Sequence, residues 1–375
     1  MAEHMAGNDY LPDSKFDQVY SQWGSGGWGA LLTGNVQVDP TWLGSASDVA
    51  PDLSQLSAVK KTWASWATAM GSQGTPAIMQ ISHPGRQSGL GAGKKGIWGK
   101  NIAPSAIPLD FGPGVVAKVA SRTMFGTPKE MTVQQIETVV EQFARTAELA
   151  AEAGFAGVEL HGAHGYLLDS FLSARSNLRT DAYGGTPAKR AKLVLDIIAE
   201  VRRRVPASFA VALKMNSVDH QRDSDMAACL EQVALVHAAK IDFLEISGGS
   251  YEDPTMQATV LPEKHVSAST TAREAFFLDF AKAIRQRHPD LVLMVTGGFR
   301  SRKGMEAALR GGGCDLVGIA RPAAVRPQLP KEIILNRHVP DDEATIYVAK
   351  IEPSWLLKQI PVKSIGAGAQ SVSHP

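Results

Sequence analysis

Seven short apolar runs recur along the chain, and segments with helical periodicity separate most of them. The runs cover residues 29–39, 75–85, 157–165, 209–216, 241–249, 291–298 and 315–322. Each is apolar nearly throughout, rather than alternating between apolar and polar residues. Such runs are typical of strands that are buried on both faces of a parallel sheet, and we predict a strand in each.

The segments between the runs carry the helical signals. In residues 133–154 apolar side chains recur every three or four positions, and the pattern stops at Gly154. A second segment has Pro187 in its expected first turn, followed by an apolar stripe through residues 193–201. Further helices are predicted over residues 224–239, 271–287 and 301–310. Strands and helices that alternate in this way form either a doubly wound sheet or a barrel.

Two observations favour the barrel. No GxGxxG motif opens a helix after the first run, which argues against a dinucleotide-binding doubly wound sheet. Polar residues and glycines collect at the carboxyl ends of the runs, and in a barrel these ends converge on one mouth, where active sites lie. We therefore predict an α/β fold, a (β/α)8 TIM barrel, with residues 1–375 forming a single domain.

Three features depart from a simple barrel. A closed barrel needs eight strands and only seven runs are found, so either the first strand lies elsewhere or the sequence starts too late, with the first strand largely missing. Residues 83–130, called here the lid segment, form a long insertion rich in glycine and proline after the strand at 75–83. We expect an active-site lid there, with a disordered insertion as the alternative. Residues 323–375 are expected to form a C-terminal cover.

Composition excludes several functional classes. The chain has two cysteines, too few for a disulfide framework, a cysteine-rich zinc site or a four-cysteine iron–sulfur cluster. The formal net charge is +1, which gives no reason to expect nucleic acid or a membrane surface as a partner. The polar N-terminus lacks the apolar core of a signal peptide. A cytoplasmic enzyme acting on small molecules is the expectation, and a homodimer is one candidate assembly.

The most informative cluster follows the run at 157–165. His161, His164 and Tyr166 lie within six positions, and Gly162 and Gly165 allow a tight backbone path between them. Two imidazoles can donate to one oxygen of a ligand and polarise a carbonyl group. A phenol has a high intrinsic pKa and is suited to delivering a proton. A metal-binding histidine pair and plain packing are the alternatives.

Two further polar side chains stand inside apolar runs. Lys214 lies near the end of the strand predicted at 209–216, where a buried lysine is costly unless it meets an anion or does covalent work. It could lie beside an electron-rich cofactor or act as a Schiff-base nucleophile, as in aldolases. Gln80 could offer a paired donor and acceptor to a flat heterocycle, or be a satisfied core amide.

The last two predicted strands are followed by glycines and an arginine. Gly297 and Gly298 expose backbone N–H groups after one strand, and Arg321 follows the next. This is the position at which many barrels bind a phosphate group. A phosphorylated cofactor is therefore expected.

Taken together, these motifs resemble the Old Yellow Enzyme family of FMN-dependent ene-reductases over nearly the whole chain. The stretch HGAHGYLLDSFLS followed by NLRTDAYGG is the most specific, and QISHPGRQ, APSAIPL and GIARP agree in order and spacing. The resemblance implies that His161 and His164 hold a substrate carbonyl oxygen and that Tyr166 protonates the alkene carbon. Other members have asparagine at the second histidine.

The resemblance also implies the cofactor site and the reaction. Gln80 and Lys214 would contact the isoalloxazine edge, and Gly297, Gly298 and Arg321 would hold the FMN phosphate. NADPH or NADH would reduce FMN, which then reduces the C=C bond of an enone or enal. Two alternatives remain: a flavin-free barrel lyase that uses Lys214 as a Schiff base, and a truncated, non-catalytic barrel.

Overall fold

The computed structural model describes residues 3–112, 114–217, 223–248 and 268–346. The strands of its main sheet are β1 Leu31–Leu32, β2 Val36–Gln37, β3 Ala77–Ser82, β6 Gly157–Gly162, β7 Ala210–Asn216, β8 Phe243–Ser247, β9 Leu293–Thr296 and β10 Leu316–Gly318. The sheet is parallel, with the order β1–β3–β6–β7–β8–β9–β10, and β2 also pairs with β3. β1 and β2 pair with opposite ends of β3 and so share one place in the sheet. Each run predicted to be a strand contains at least one, and the run at 29–39 contains both β1 and β2.

Helices connect the successive strands of the main sheet, and the order of these strands in the sheet follows the chain, as in an α/β barrel and not in a doubly wound sheet. The helices are α1 Ser14–Gly24, α2 Leu56–Gly71, α3 Val115–Met124, α4 Val133–Glu152, α5 Leu167–Leu172, α6 Pro187–Arg204, α7 Asp223–Ala238, α8 Ala268–Arg287, α9 Arg302–Arg310 and α10 Arg321–Val325. Thr132 and Gln135 form a capping box at the start of α4. Thr186 caps α6, with Pro187 in its first turn as predicted. Among the helices that the structure describes, none is long and apolar enough to cross a membrane.

The interior of the sheet has an apolar layer below a polar one. A small cluster of Ile78, Ala212, Phe243 and Met294 fills the first layer. Side chains alternate between the two faces of a strand, so the residues two positions further on lie above this layer. On β3, β7 and β8 those residues are Gln80, Lys214 and Glu245. The polar side chains therefore lie towards the carboxyl ends of the strands, which form the mouth of the barrel.

The lid segment carries regular structure over its described residues, so a disordered insertion is the wrong alternative for that part. It contains a short helical turn at Gly85–Gln87, helix α3, and strands β4 Ile102–Ala103 and β5 Lys129–Glu130, which pair in parallel. Leu109, Phe111 and Ala117 form a separate small core within it. The segment thus folds as a compact addition after β3.

Arg179 ties the lid segment to the barrel. Its buried guanidinium donates through Nη1 to the carbonyls of Pro104 (3.2 Å) and Met131 (2.6 Å), next to the two lid strands. Through Nε and Nη2 it donates to both carboxylate oxygens of Asp181, at 3.1 and 2.5 Å. The NLRTDAYGG motif, which contains this arginine, therefore has a structural task at the base of the lid.

We expect Arg179→Met to lower the free energy of unfolding by about 2–4 kcal/mol, because two carbonyls and the Asp181 carboxylate lose a charged donor. The estimate lies below that for a fully buried pair, because 36% of the Asp181 side chain is exposed. Denaturant unfolding monitored by circular dichroism would measure it. Arg175→Met is the matched control: that side chain is 65% exposed and 3.8 Å from Asp225, so its loss should cost less than about 0.5 kcal/mol. Equal losses in the two variants would contradict the role of Arg179.

The segment that follows β10 packs against the segment that precedes β1. Trp23 and Trp28 donate through their indole N–H groups to the carbonyls of Ala323 (2.8 Å) and Pro327 (2.7 Å). A short π-helical turn at Pro330–Ile334 follows α10. Residues 347–375 lie outside the described part, so the cover predicted over 323–375 stays a prediction. The single-domain organisation over 1–375 stays a prediction.

Candidate active site

The histidine cluster lies where β6 leaves the sheet. His161 is the second-to-last residue of this buried strand, and His164 has a left-handed backbone, with φ of +64°. Gly165, with φ of +78°, continues the tight path. Histidine, asparagine and aspartate adopt this conformation more readily than most residues. The turn folds His164 back over His161, and their ring centroids are 4.9 Å apart.

Hydrogen bonds assign a tautomer to each imidazole. The backbone N–H of Ala163 donates to His161 Nδ1 (3.4 Å), which places the His161 proton on Nε2. His161 Nε2 lies 3.2 Å from His164 Nδ1 and donates to it. The His164 proton is then on Nε2, 3.1 Å from Ser247 Oγ at the end of β8. The pair is thus one relay of N–H donors that ends at a neighbouring strand.

Both imidazoles are neutral at ordinary pH. Burial lowers the pKa of His161 well below its usual value, and His164 and Lys214 lower it further. Burial also lowers the pKa of His164, with Lys214 as the second cause. Neutral imidazoles remain hydrogen-bond donors, so the site can bind a carbonyl oxygen without gaining a charge.

Tyr166 completes the cluster. Its ring stands at 90° to that of His161, with centroids 4.7 Å apart, and the residue occupies the N-cap position of α5. The side chain of Asn35, between β1 and β2, donates through Nδ2 to the Tyr166 hydroxyl oxygen at 3.1 Å. Asn35 is buried, which makes this a fixed contact. All three predicted residues therefore meet, together with a fourth that the sequence analysis did not identify.

Lys214 and Gln80 also face the interior, each beside a carboxyl group. Lys214 Nζ lies 2.5 Å from Glu245 Oε1, on the neighbouring strand. Gln80 Nε2 donates to Glu159 Oε2, also at 2.5 Å. Burial alone would lower the pKa of Lys214, but Glu245 and Glu159 raise it above its ordinary value.

The predicted phosphate residues lie at the adjoining ends of β9 and β10. Thr296 and Gly318 are register partners, so the loops that follow them begin side by side. Gly297 and Gly298 have φ of +143° and +80°, which favour glycine, and a Cβ at 297 would meet the Phe277 ring at 2.8 Å. Arg321 opens α10, two residues after Ile319. The glycines and the arginine thus both follow the carboxyl ends of these two neighbouring strands.

The sequence model of the NADH:flavin oxidoreductase / NADH oxidase family matches residues 3–340. The chain belongs to this family. It is 50% identical over 97% of its length to an NADH-dependent flavin oxidoreductase from Neonectria sp. (strain DH2), of which it spans 49%. It is 46% identical over its whole length to another from Hypocrea jecorina (strain QM6a), of which it spans 93%.

Solved structures agree on the fold of this flavin oxidoreductase family. The Old Yellow Enzyme homologue from Zymomonas mobilis superposes with a TM-score of 0.70 at 21% identity, covering 93% of this chain and 91% of that one. A morphinone reductase variant gives 0.69 at 21% identity, covering 88% and 84%. The resemblance to the Old Yellow Enzyme family is confirmed, with FMN as the cofactor and a nicotinamide nucleotide as the reductant.

The residues present fit FMN. Gln80 Oε1 is a buried acceptor without a hydrogen-bond partner among the described residues, as expected for an atom that meets a ring N–H. Lys214, two strands away in the sheet, supplies a buried cation. At the ends of β9 and β10, the backbone at Gly297 and Gly298 has positive φ, and a Cβ at 297 would clash with the Phe277 ring, so glycine keeps the backbone N–H groups accessible there. In the described part of the chain, no group of three or more His, Cys, Asp or Glu side chains is arranged to hold a metal ion.

Proposed function

We propose that this chain reduces the C=C bond of α,β-unsaturated aldehydes and ketones, with NADH or NADPH as the source of electrons. The observation that carries this proposal is the meeting of His161, His164 and Tyr166 at one strand end, where Lys214 is the register partner of His161 on the neighbouring strand. Bound FMN would supply the hydride to the β-carbon of the substrate. The residues of the chain bind the carbonyl, orient the alkene and deliver the proton.

His161 and His164 are assigned to the carbonyl oxygen. To take the N–H of His161, that oxygen must replace the hydrogen bond between the two imidazoles. The Nε2–H of His164, which faces Ser247, is the second donor within the cluster. As electrons move onto the carbonyl oxygen during reduction, donors at a buried site stabilise the developing charge more strongly than water would.

Tyr166 is assigned to protonation of the α-carbon. The Asn35 amide donates to the phenol oxygen, so this contact supports the phenolate that forms when the proton leaves. It also fixes the oxygen, because the Asn35 side chain is buried. Asn35 is therefore a positioning residue in this proposal, and Tyr166 is the proton donor.

Two assignments concern the ligands. The FMN phosphate would lie against Gly297, Gly298 and Arg321, where two loops and a cation meet. For the reductant we propose NADH, because the relatives from Neonectria and Hypocrea are named NADH-dependent.

The lyase alternative requires Lys214 as a neutral amine. Glu245 and Glu159 do the opposite, since they raise its pKa and hold its ammonium form. The family also carries a flavin. Both observations favour the reductase over a Schiff-base mechanism.

Absorption spectra of the purified protein test the proposal. We expect flavin bands that bleach with NADH in the absence of oxygen and return when an enone such as 2-cyclohexenone is added. A colourless protein that is trapped on its substrate by borohydride would support the Lys214 lyase. A flavin that is reduced but not reoxidised by any enone would refute C=C reduction while leaving the flavin oxidoreductase intact. A protein with neither property would be the non-catalytic barrel.

A further inference from the structure

Two buried carboxyl groups share one lysine inside the barrel. Glu159 on β6 and Glu245 on β8 lie on either side of β7, which carries Lys214, and all three side chains are buried. Glu245 forms the ion pair with Lys214, and Glu159 accepts from Gln80 through Oε2. None of the reaction steps assigned above uses either carboxyl group.

The hydrogen bonds point to a proton on Glu159. Its Oε1 has no partner that donates to it among the described residues, and the side chain it faces is Glu245, an acceptor when ionised. If both carboxyls were ionised, two anions would face one cation in a closed interior, which is strongly unfavourable. A proton on Glu159 Oε1 gives that atom a role as donor to Glu245 and removes the excess charge.

The electrostatics agree with this arrangement. Burial first, and Glu245 second, raise the pKa of Glu159 well above its ordinary value. Burial also acts to raise the pKa of Glu245, but Lys214 and a hydrogen bond from Glu159 lower it below the ordinary value. The two buried imidazoles nearby, His161 and His164, are neutral and add no charge.

We propose that Glu159, Glu245 and Lys214 form one neutral unit with a single shared proton, and that this unit fixes the net charge beside the cofactor ring. The carboxyl groups are positioning residues that act through Lys214. This inference rests on the placement of Lys214 at the FMN ring, and not on the enone chemistry proposed above. An ammonium without a compensating anion would favour the reduced, more negative ring over the oxidised one.

The unit should compensate for the loss of either carboxyl. Glu159→Gln leaves Lys214 paired with Glu245. Glu245→Gln leaves Lys214 beside Glu159, which then gives up its proton and takes over as the anion. The double variant leaves the ammonium uncompensated. The two single changes should therefore be weak and the double change strong, which is a non-additive pattern.

Two measurements on the holoenzyme test this. Infrared spectra at neutral pH should show the carbonyl band of a protonated carboxylic acid in the wild type, lost in each single variant. Redox titration gives the ratio of the affinity for reduced FMN to the affinity for oxidised FMN. In each single variant this ratio should stay within about threefold of the wild-type value. In the double variant the ratio should rise at least about tenfold, which corresponds to about 30 mV for a two-electron couple.

A matched control exists on the outer surface. Glu141 and Glu200 also flank one cation, Arg204, which donates to them at 2.7 and 2.8 Å. The corresponding double Gln variant should change neither the infrared band nor the potential. The proposal is overturned if the wild type lacks the protonated-acid band, if one single variant gives the full tenfold change, or if the double variant changes nothing. Should the double variant fail to fold, the infrared band and the two single variants still decide. Enone turnover enters none of these readouts.

Discussion

Replacing both His161 and His164 with alanine should lower kcat/KM for an enone by about 10²–10⁴, the scale of lost oxyanion-type stabilisation. The two side chains form a single relay of donors, so removing both avoids a partial replacement of one by the other. Stopped-flow measurement of enone-dependent reoxidation of the reduced enzyme would quantify the loss. Reduction by NADH should suffer less, because it involves no carbonyl activation by these donors.

A second histidine pair provides the control. His237 and His288 are in contact through their Nδ1 atoms at 3.1 Å, at the ends of α7 and α8 away from the mouth of the barrel. The His237→Ala/His288→Ala variant should keep enone turnover near the wild-type rate. Unchanged turnover in the His161/His164 variant would remove the pair from the substrate site.

Tyr166→Phe should slow reoxidation by an enone by about 10²–10⁴, the usual contribution of a general acid. The ring remains to pack against His161, so the substrate should still bind and shift the flavin spectrum. Reoxidation by a quinone needs no protonation of a carbon atom and should persist. The ratio of the two reoxidation rates is therefore the diagnostic quantity. If both slow to the same extent, Tyr166 is not a dedicated proton donor.

Two companion variants sharpen this test. Tyr183→Phe removes a phenol that donates to Asp196 outside the cluster, and should leave both reoxidation rates unchanged. Asn35→Leu should slow only the enone reaction, by less than Tyr166→Phe, because it removes a contact to the donor and not the donor itself. In the Tyr166→Phe background the Asn35 change should have little further effect.

The sequence predicts the barrel and the core of the site because both follow from local rules. Apolar runs mark the strands, and His161 and Tyr166 follow from the rule that strand ends meet at one mouth. Helix α2 was not predicted, although Val59, Trp63 and Met70 recur at helical spacing on its buried face. That signal was present in the sequence.

Asn35, Glu159 and Glu245 were not identified, for a different reason. Asn35 meets Tyr166 across 131 positions, and that pairing depends on how the first strands dock against β3. Glu159 and Glu245 each stand in a strand that otherwise reads as apolar, as Lys214 does. A lone charge in a buried run signals a partner, but the identity of that partner depends on the register between strands. Periodicity along the chain does not determine that register.

The left-handed backbone at His164 restricts which residue types can occupy this position, independently of the functional group that the site needs. A β-branched side chain there would cost about 1–2 kcal/mol in backbone conformation, whatever its functional groups. Histidine and asparagine, by contrast, combine tolerance of this conformation with an N–H donor. Under the proposed function, a residue at position 164 must therefore both tolerate this backbone conformation and carry an N–H donor, and few residue types do both. A mutant library designed to alter the proposed carbonyl contact should therefore yield more folded, binding-competent variants if it varies the residues around His164 than if it randomises position 164 itself.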